Sequence, residues 1–174
     1  VACQRQVEIA GLDAAKLSQM LTPRDLRSLK VGQCFYVPII DDNAGMINDP
    51  VLLKLDNNKF WFSIADSDLL LWVKGLVFGL GLDVEIFEPD VSPLAVQGPK
   101  AEALMADLFG DQILDIPFFG FKAIPMFGSD QVVARSGYSK QGGFEIYLHG
   151  SHFGNELWDL IWKAGEPYNI WPGS

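Results

Sequence analysis

Hydrophobic and polar positions follow two rhythms along this chain. Short segments of strand character recur at Val7 to Ala10, Cys34 to Ile40, Asp83 to Phe87, Leu94 to Gln97, Phe118 to Met126, Gln131 to Ala134 and Phe144 to Leu148. Asn48 to Leu55 and Lys59 to Ala65 predict a hairpin around Asp56-Asn57-Asn58. Helical spacing governs the rest. Leu12, Ala15, Leu17, Met20 and Leu21 fall near one face of a helix that ends at Pro23. Asp66-Ser67 is a candidate cap for a helix running to about Phe78, with Gly79 and Gly81 ending it. Pro99 opens and Gly110 closes a helix over Lys100 to Phe109. Asn155 to Ala164 predicts an amphipathic helix with Leu157, Trp158, Leu160 and Ile161 inward. Short strands outnumber helices and tight turns join several of them. The expected class is therefore α+β, a largely antiparallel sheet with helices packed on it.

Composition narrows the picture. The chain has 174 residues, 49% of them hydrophobic, which is enough for one ordinary domain with a real core and excludes intrinsic disorder. A net charge of −9 argues against nucleic acid as a partner, because phosphates are held by clustered Lys and Arg. The most apolar run, Leu69 to Leu82, carries Lys74 and falls short of the roughly 20 residues of a membrane span, so it is expected in the core. Cys3 and Cys34 are too few for a disulfide framework and are expected as reduced, buried thiols of a cytoplasmic protein. The chain lacks an initiator Met and a signal segment, and both ends read as cut, so a piece of a longer protein is expected.

Several motifs carry little chemistry. The Gly75 to Gly81 segment follows a helix pattern rather than a strand, and fits a helix terminus better than a nucleotide loop. His149 and His152 lie in a Gly/Ser loop without a third ligand in evident spacing, so no metal is expected. No Ser, His and acid group into a triad. Phe118-Phe119-Gly120-Phe121 is expected to pack in the core.

Two stretches say more. In Ala44-Gly45-Met46-Ile47-Asn48-Asp49-Pro50-Val51, after Cys34-Phe35-Tyr36-Val37-Pro38, a carboxylate follows an apolar pair at the start of a strand. It either accepts backbone hydrogen bonds in the turn or serves a site. In Ala134-Arg135-Ser136-Gly137-Tyr138 to Gly142-Gly143-Phe144-Glu145-Ile146-Tyr147, alternation puts Glu145 and Tyr147 on one strand face, opposite Phe144 and Ile146. Such a face can bind a polar heterocycle or a cation, or simply meet solvent.

Both stretches resemble the folate-binding domain of the glycine cleavage T-protein (aminomethyltransferase) superfamily. That superfamily carries a Gly-Gly-x-x-x-Asp turn and an Arg-[Ser/Thr]-Gly-[Tyr/Trp] segment leading to Gly-[Phe/Tyr]-Glu. The similarity also covers Cys3 to Ile9, Met20-Leu21-Thr22 to Leu26, Lys54-Leu55, Phe60 to Leu69, Glu88-Pro89-Asp90-Val91, Gln97-Gly98-Pro99-Lys100 and Ser139 to Glu145. It is nearest to the branch that demethylates dimethylsulfoniopropionate.

The resemblance implies an α+β fold of the aminomethyltransferase type, with mostly antiparallel sheets and flanking helices. Residues 1–174 would form a partial folate-binding domain, truncated at both ends, without the smaller C-terminal β domain of relatives. The implied cofactor is tetrahydrofolate, with no metal. Asp49 matches the essential acid; Tyr36, Asp49, Val51, Tyr138 and Glu145 match folate-pocket positions; Tyr138 and Tyr147 would face a small-molecule sulfonium substrate. The implied reaction moves a methyl group to N5 of tetrahydrofolate, giving 5-methyltetrahydrofolate and 3-methylthiopropionate. No nucleic acid or membrane partner is implied, and a homodimer is compatible with this reading. Two departures stand out. Ala44 replaces the first Gly of the turn, and the Arg that follows the final helix of relatives lies beyond Ser174. The rival readings are a glycine-cleavage aminomethyltransferase served by a lipoyl carrier, which more often has Asp where Asn48 stands, and a non-catalytic folate binder, whose Lys-Gly-Cys-Tyr-type motif is missing.

Overall fold

The first strand runs over Arg5–Ala10 (β1) in the computed structural model, which describes residues 4–65 and 69–173. The chain divides after Pro89 into two units, each with its own hydrophobic cluster. Cys3 and the Asp66-Ser67 cap lie outside the described residues.

The first unit continues with α1 (Ala14–Leu21), β2 (Cys34–Tyr36), β3 (Ile39–Ile40), β4 (Met46–Asn48), β5 (Val51–Asp56), β6 (Lys59–Ile64), α2 (Leu69–Leu80) and β7 (Glu85–Phe87). Five strands form an antiparallel sheet in the order β2-β5-β6-β1-β7, and β3 pairs with β4. The expected strand from Cys34 to Ile40 is broken at Val37-Pro38, and that from Asn48 to Leu55 at Asp49-Pro50. A proline has no N–H to give a ladder. The Val37 N–H donates instead to the Pro50 carbonyl at 3.0 Å, so the two breaks lie side by side.

One sheet face, with Val7, Ile9, Leu52, Phe60 and Phe62, packs against Leu17 and Leu21 of α1 and Leu69 and Val73 of α2. The other face buries polar groups as partners. Trp61 Nε1 donates to Glu8 Oε2 at 2.7 Å, Lys59 Nζ lies 2.9 Å from Glu8 Oε1, and Gln6 Nε2 donates to Ser63 Oγ at 3.1 Å. Two expectations are corrected here. Helix α1 buries Ala14, Leu17, Ser18 and Leu21, while Leu12, Ala15 and Met20 are exposed. The Leu69 to Leu82 run, helical over Leu69–Leu80, reaches the core in part: Leu69 and Val73 are buried there and Leu70, Leu76, Val77 and Leu82 pack against it, but Phe78 is 94% exposed. Gly75 and Gly79 lie within that helix, and Gly81, at φ +62°, follows its last turn. Cys34 is buried as expected.

The second unit carries β8 (Val91–Gln97), α3 (Ala101–Phe109), β9 (Phe121–Met126), β10 (Ser129–Ala134), β11 (Gly143–His149) and α4 (Gly154–Gly165). Its antiparallel sheet has the order β8-β11-β10-β9. Phe144, Ile146, Leu148, Val96 and Val133 pack with Leu104 and Met105 of α3 and Leu157 and Ile161 of α4. The expected inward positions Trp158 and Leu160 are largely exposed, and Trp158 stacks on Trp162 with ring centroids 5.9 Å apart. Phe118 is exposed as well, because the aromatic run forms a turn before β9 in which Phe119 adopts φ +58°. Both units pair antiparallel sheets with flanking helices, the α+β class expected.

Candidate functional site

In the first unit the adjacent strand breaks place an acid outside both ladders. Asp49 sits between β4 and β5, exposed, ahead of Pro50. Its carboxylate accepts a hydrogen bond from the Tyr36 hydroxyl, 3.0 Å to Oδ2. The turn N–H groups of Asn43 and Gly45 are taken by Asp41 Oδ1, at 2.9 and 2.7 Å. The Tyr36 phenol thus bonds the Asp49 carboxylate, while the turn N–H groups of Asn43 and Gly45 go to Asp41. The same contact pushes the Tyr36 phenol above its ordinary value, since its proton is bonded to a carboxylate. Val51 pairs directly with Tyr36 across β2 and β5, so Tyr36, Asp49 and Val51 form one group.

The departure at Ala44 also has a geometry. Ala44 takes φ +62°, the left-handed conformation that suits glycine, at a cost of about 1–2 kcal/mol for an L-residue. Arg24, not singled out from the sequence, braces this region. It donates to the Tyr36 carbonyl at 2.7 Å and lies over the Phe35 ring, 4.1 Å from its centroid.

In the second unit, the period-two alternation of β11 turns Phe144, Ile146 and Leu148 to the helices and leaves Glu145 and Tyr147 on the other face. That face is not a solvent surface: Glu145 is 7% exposed and Tyr147 1%. Small residues flank the acid, Ala134 on β10 and Ala95 on β8. Ser136 Oγ donates to Glu145 Oε2, and Tyr147 also bonds the carboxyl. Burial pushes the Glu145 carboxyl above its ordinary range, and these two hydrogen bonds pull it back in part. A carboxylate has about four lone-pair sites, so two donors leave acceptor capacity for a ligand N–H. Tyr138, after the Gly137 turn, is 96% exposed.

The residues around Glu145 divide their work. Arg135 pairs with Glu102 of α3 and donates to the Ile116 carbonyl at 3.2 Å, so it serves the scaffold. Ser136 and Gln97 are the members that sequence reasoning left without a role, although both lie in stretches it quoted. Among the described residues no group of three or more His, Cys, Asp or Glu is placed to hold a metal, and no helix is long and apolar enough to cross a membrane.

Comparison with known proteins shows the family of the chain. All of residues 1–174 match the family described as GCVT N-terminal domain. The chain belongs to that family. The GCVT domain is 51% identical over 173 residues to dimethylsulfoniopropionate demethylase of Ruegeria pomeroyi, covering 99% of this chain and 48% of the relative. It is 30% identical over 171 residues to the aminomethyltransferase of Caldanaerobacter subterraneus subsp. tengcongensis, covering 96% and 46%. The chain thus spans about half the length of these curated relatives. In fold it is similar to aminomethyltransferase T of the Bartonella henselae glycine cleavage system, at TM-score 0.82 and 24% identity over 92% of this chain and 44% of that one. It is also similar in fold to heterotetrameric sarcosine oxidase of Corynebacterium sp. U-96, at TM-score 0.66 and 15% identity, covering 100% and 85%.

Proposed function

We propose that this GCVT domain is the folate-binding part of an enzyme that moves a methyl group from dimethylsulfoniopropionate to N5 of tetrahydrofolate. The products are 5-methyltetrahydrofolate and 3-methylthiopropionate. The observation that carries the reading is the 51% identity, over nearly all of the chain, to a relative that bears that name.

The side chains suit the task. Bound tetrahydrofolate supplies the nucleophilic nitrogen that accepts the methyl group. Glu145 accepts a hydrogen bond from the polar edge of the pterin, and a bond to an ionised acceptor is about twice as strong as a neutral one. Asp49, exposed and held by Tyr36, steadies the positive charge that spreads in the transition state and takes up the proton released afterwards. Tyr36 and Val51 complete the folate contacts of the first unit. Tyr138 contacts folate and offers its ring to the sulfonium, and Tyr147 serves the substrate side of Glu145. A cation over an aromatic face gains roughly 0.5–2 kcal/mol, enough to orient a donor. In-line alignment supplies the larger share, on the order of 7–11 kcal/mol for well-oriented reactants.

The test is direct. The intact protein is incubated with tetrahydrofolate and dimethylsulfoniopropionate, and both products are followed by chromatography with mass detection. Stoichiometric formation of the two products supports the reading; tetrahydrofolate bound without methyl transfer refutes it. A second reading, transfer from an aminomethyl-lipoyl carrier, is favoured by the aminomethyltransferase relatives at 29–30% identity. Methylenetetrahydrofolate formed from that donor, and nothing from the sulfonium, would select it.

A further inference from the structure

Gln97 ends β8 and has no task in the reaction proposed above, yet its amide is fully used. Nε2 donates to the carbonyls of Ser136 at 3.0 Å and Phe144 at 3.1 Å, with Val96 O at 3.3 Å, while Oε1 accepts from Ser139 Oγ at 2.7 Å. Two glycines make room for it. A Cβ on Gly137 would overlap the Gln97 amide, and one on Gly143 would overlap the Val96 carbonyl and stand 2.8 Å from Gln97 Nε2. Both glycines adopt positive φ, +150° and +140°, which other residues rarely take. The amide therefore ties together the residue that bonds Glu145, Ser136, and the residue that precedes it on β11, Phe144.

We propose that Gln97 is a positioning residue that acts through Ser136. By clasping the Ser136 and Phe144 carbonyls it sets the spacing across which the Ser136 hydroxyl donates to Glu145, and so fixes the orientation and charge of that carboxyl for its ligand. The ligand role of Glu145 rests on the folate reading above; the clasp itself does not.

The chemistry gives the direction. A donor to a carboxylate favours the ionised form, and burial opposes it. Burial already holds the Glu145 proton to higher pH than usual, with Ser136 and Tyr147 working against it. The cross-strand neighbours Ala134 and Ala95 are uncharged, as are Gln97 and Ser136, and Tyr147 is a titratable group bonded to this carboxyl. Loss of the clasp thus raises the midpoint of Glu145 further, and loss of Ser136 does the same.

The experiment titrates the Glu145 carboxyl by carbon-13 NMR in the intact, ligand-free protein, with Glu145→Gln identifying the resonance. Tetrahydrofolate affinity is measured in parallel by calorimetry between about pH 5 and 8. Gln97→Met and Ser136→Ala are expected to move the midpoint upward and to weaken binding near pH 6 about tenfold, the scale of one hydrogen bond to a charged group. The double variant should move it no further than Ser136→Ala alone, and Ser136→Thr should restore the wild-type midpoint. If Gln97→Met does not fold, Ser139→Ala releases the Gln97 oxygen without altering its packing and should shift the midpoint in the same direction. An unmoved midpoint in the folded Gln97 or Ser139 variant, or shifts that add in the double variant, would overturn the proposal. Unchanged folate affinity in Glu145→Gln would instead refute the folate reading, while the ligand-free titration still decides the role of Gln97.

Discussion

Glu145→Gln should make the protein's stability less sensitive to pH, in a direction set by the burial of the acid. Glutamine keeps the shape of the side chain and an oxygen to accept from Ser136 and Tyr147, so the perturbation is close to removal of one titration. Glu145 is 7% exposed, and the folded value of its carboxyl lies above the ordinary 4.5. Between those two values the folded chain holds a proton that the unfolded chain has lost. Wild-type stability therefore falls as pH rises through that window, by at most about 1.4 kcal/mol per pH unit, and stays reduced above it. Glutamine has no such loss. The variant's stability relative to wild type should climb from about pH 4.5 upward and level off once Glu145 is ionised in the fold. Denaturant unfolding of both proteins at several pH values reads the difference, in which the titration of distant groups cancels. A difference that is flat with pH, or that declines, would refute the claim that burial dominates this carboxyl.

Four other outcomes are expected. Asp49→Ala should lower turnover far more than tetrahydrofolate affinity, compared by steady-state rates and calorimetry, because Asp49 is assigned to the moving charge. Tyr147→Leu should raise the Michaelis constant for a sulfonium substrate, and an unaltered constant would count against its substrate role. Gly137→Ala should cost about 2–4 kcal/mol in denaturant unfolding, since the new Cβ displaces the Gln97 amide and breaks two or more of its hydrogen bonds. Trp61→Phe should cost about 1.5–3 kcal/mol, because it withdraws the indole donor from Glu8, which is 4% exposed.

What the sequence revealed, and what it hid, follows from the range of the forces involved. Strands such as β11 were legible because period-two alternation is local and one face is buried. The chemistry of Asp49 was visible as a carboxylate out of place, but its partner was not. Tyr36 lies 13 residues away and reaches it through two strand breaks that the hydrophobic pattern does not mark. Ser136 and Gln97 are 39 residues apart, and an amide wedged between two glycines leaves no periodic trace. The misplaced positions share another cause. Leu12, Phe78, Phe118 and Trp158 are apolar and exposed, and apolar character alone does not fix burial, because much of any folded surface is hydrocarbon.

The strand that carries Glu145 keeps its chemistry in its phase. On β11 Phe144, Ile146 and Leu148 alternate strictly with Glu145, Tyr147 and His149, and the strand is flanked by neighbours on both edges. A single inserted or deleted codon within it would swap the two sets, driving the acid among leucines and turning Phe144 and Ile146 outward. Substitutions there are graded in effect, whereas changes of length by one are all-or-none. Among descendants of this gene, β11 should vary in spelling but not in letter count.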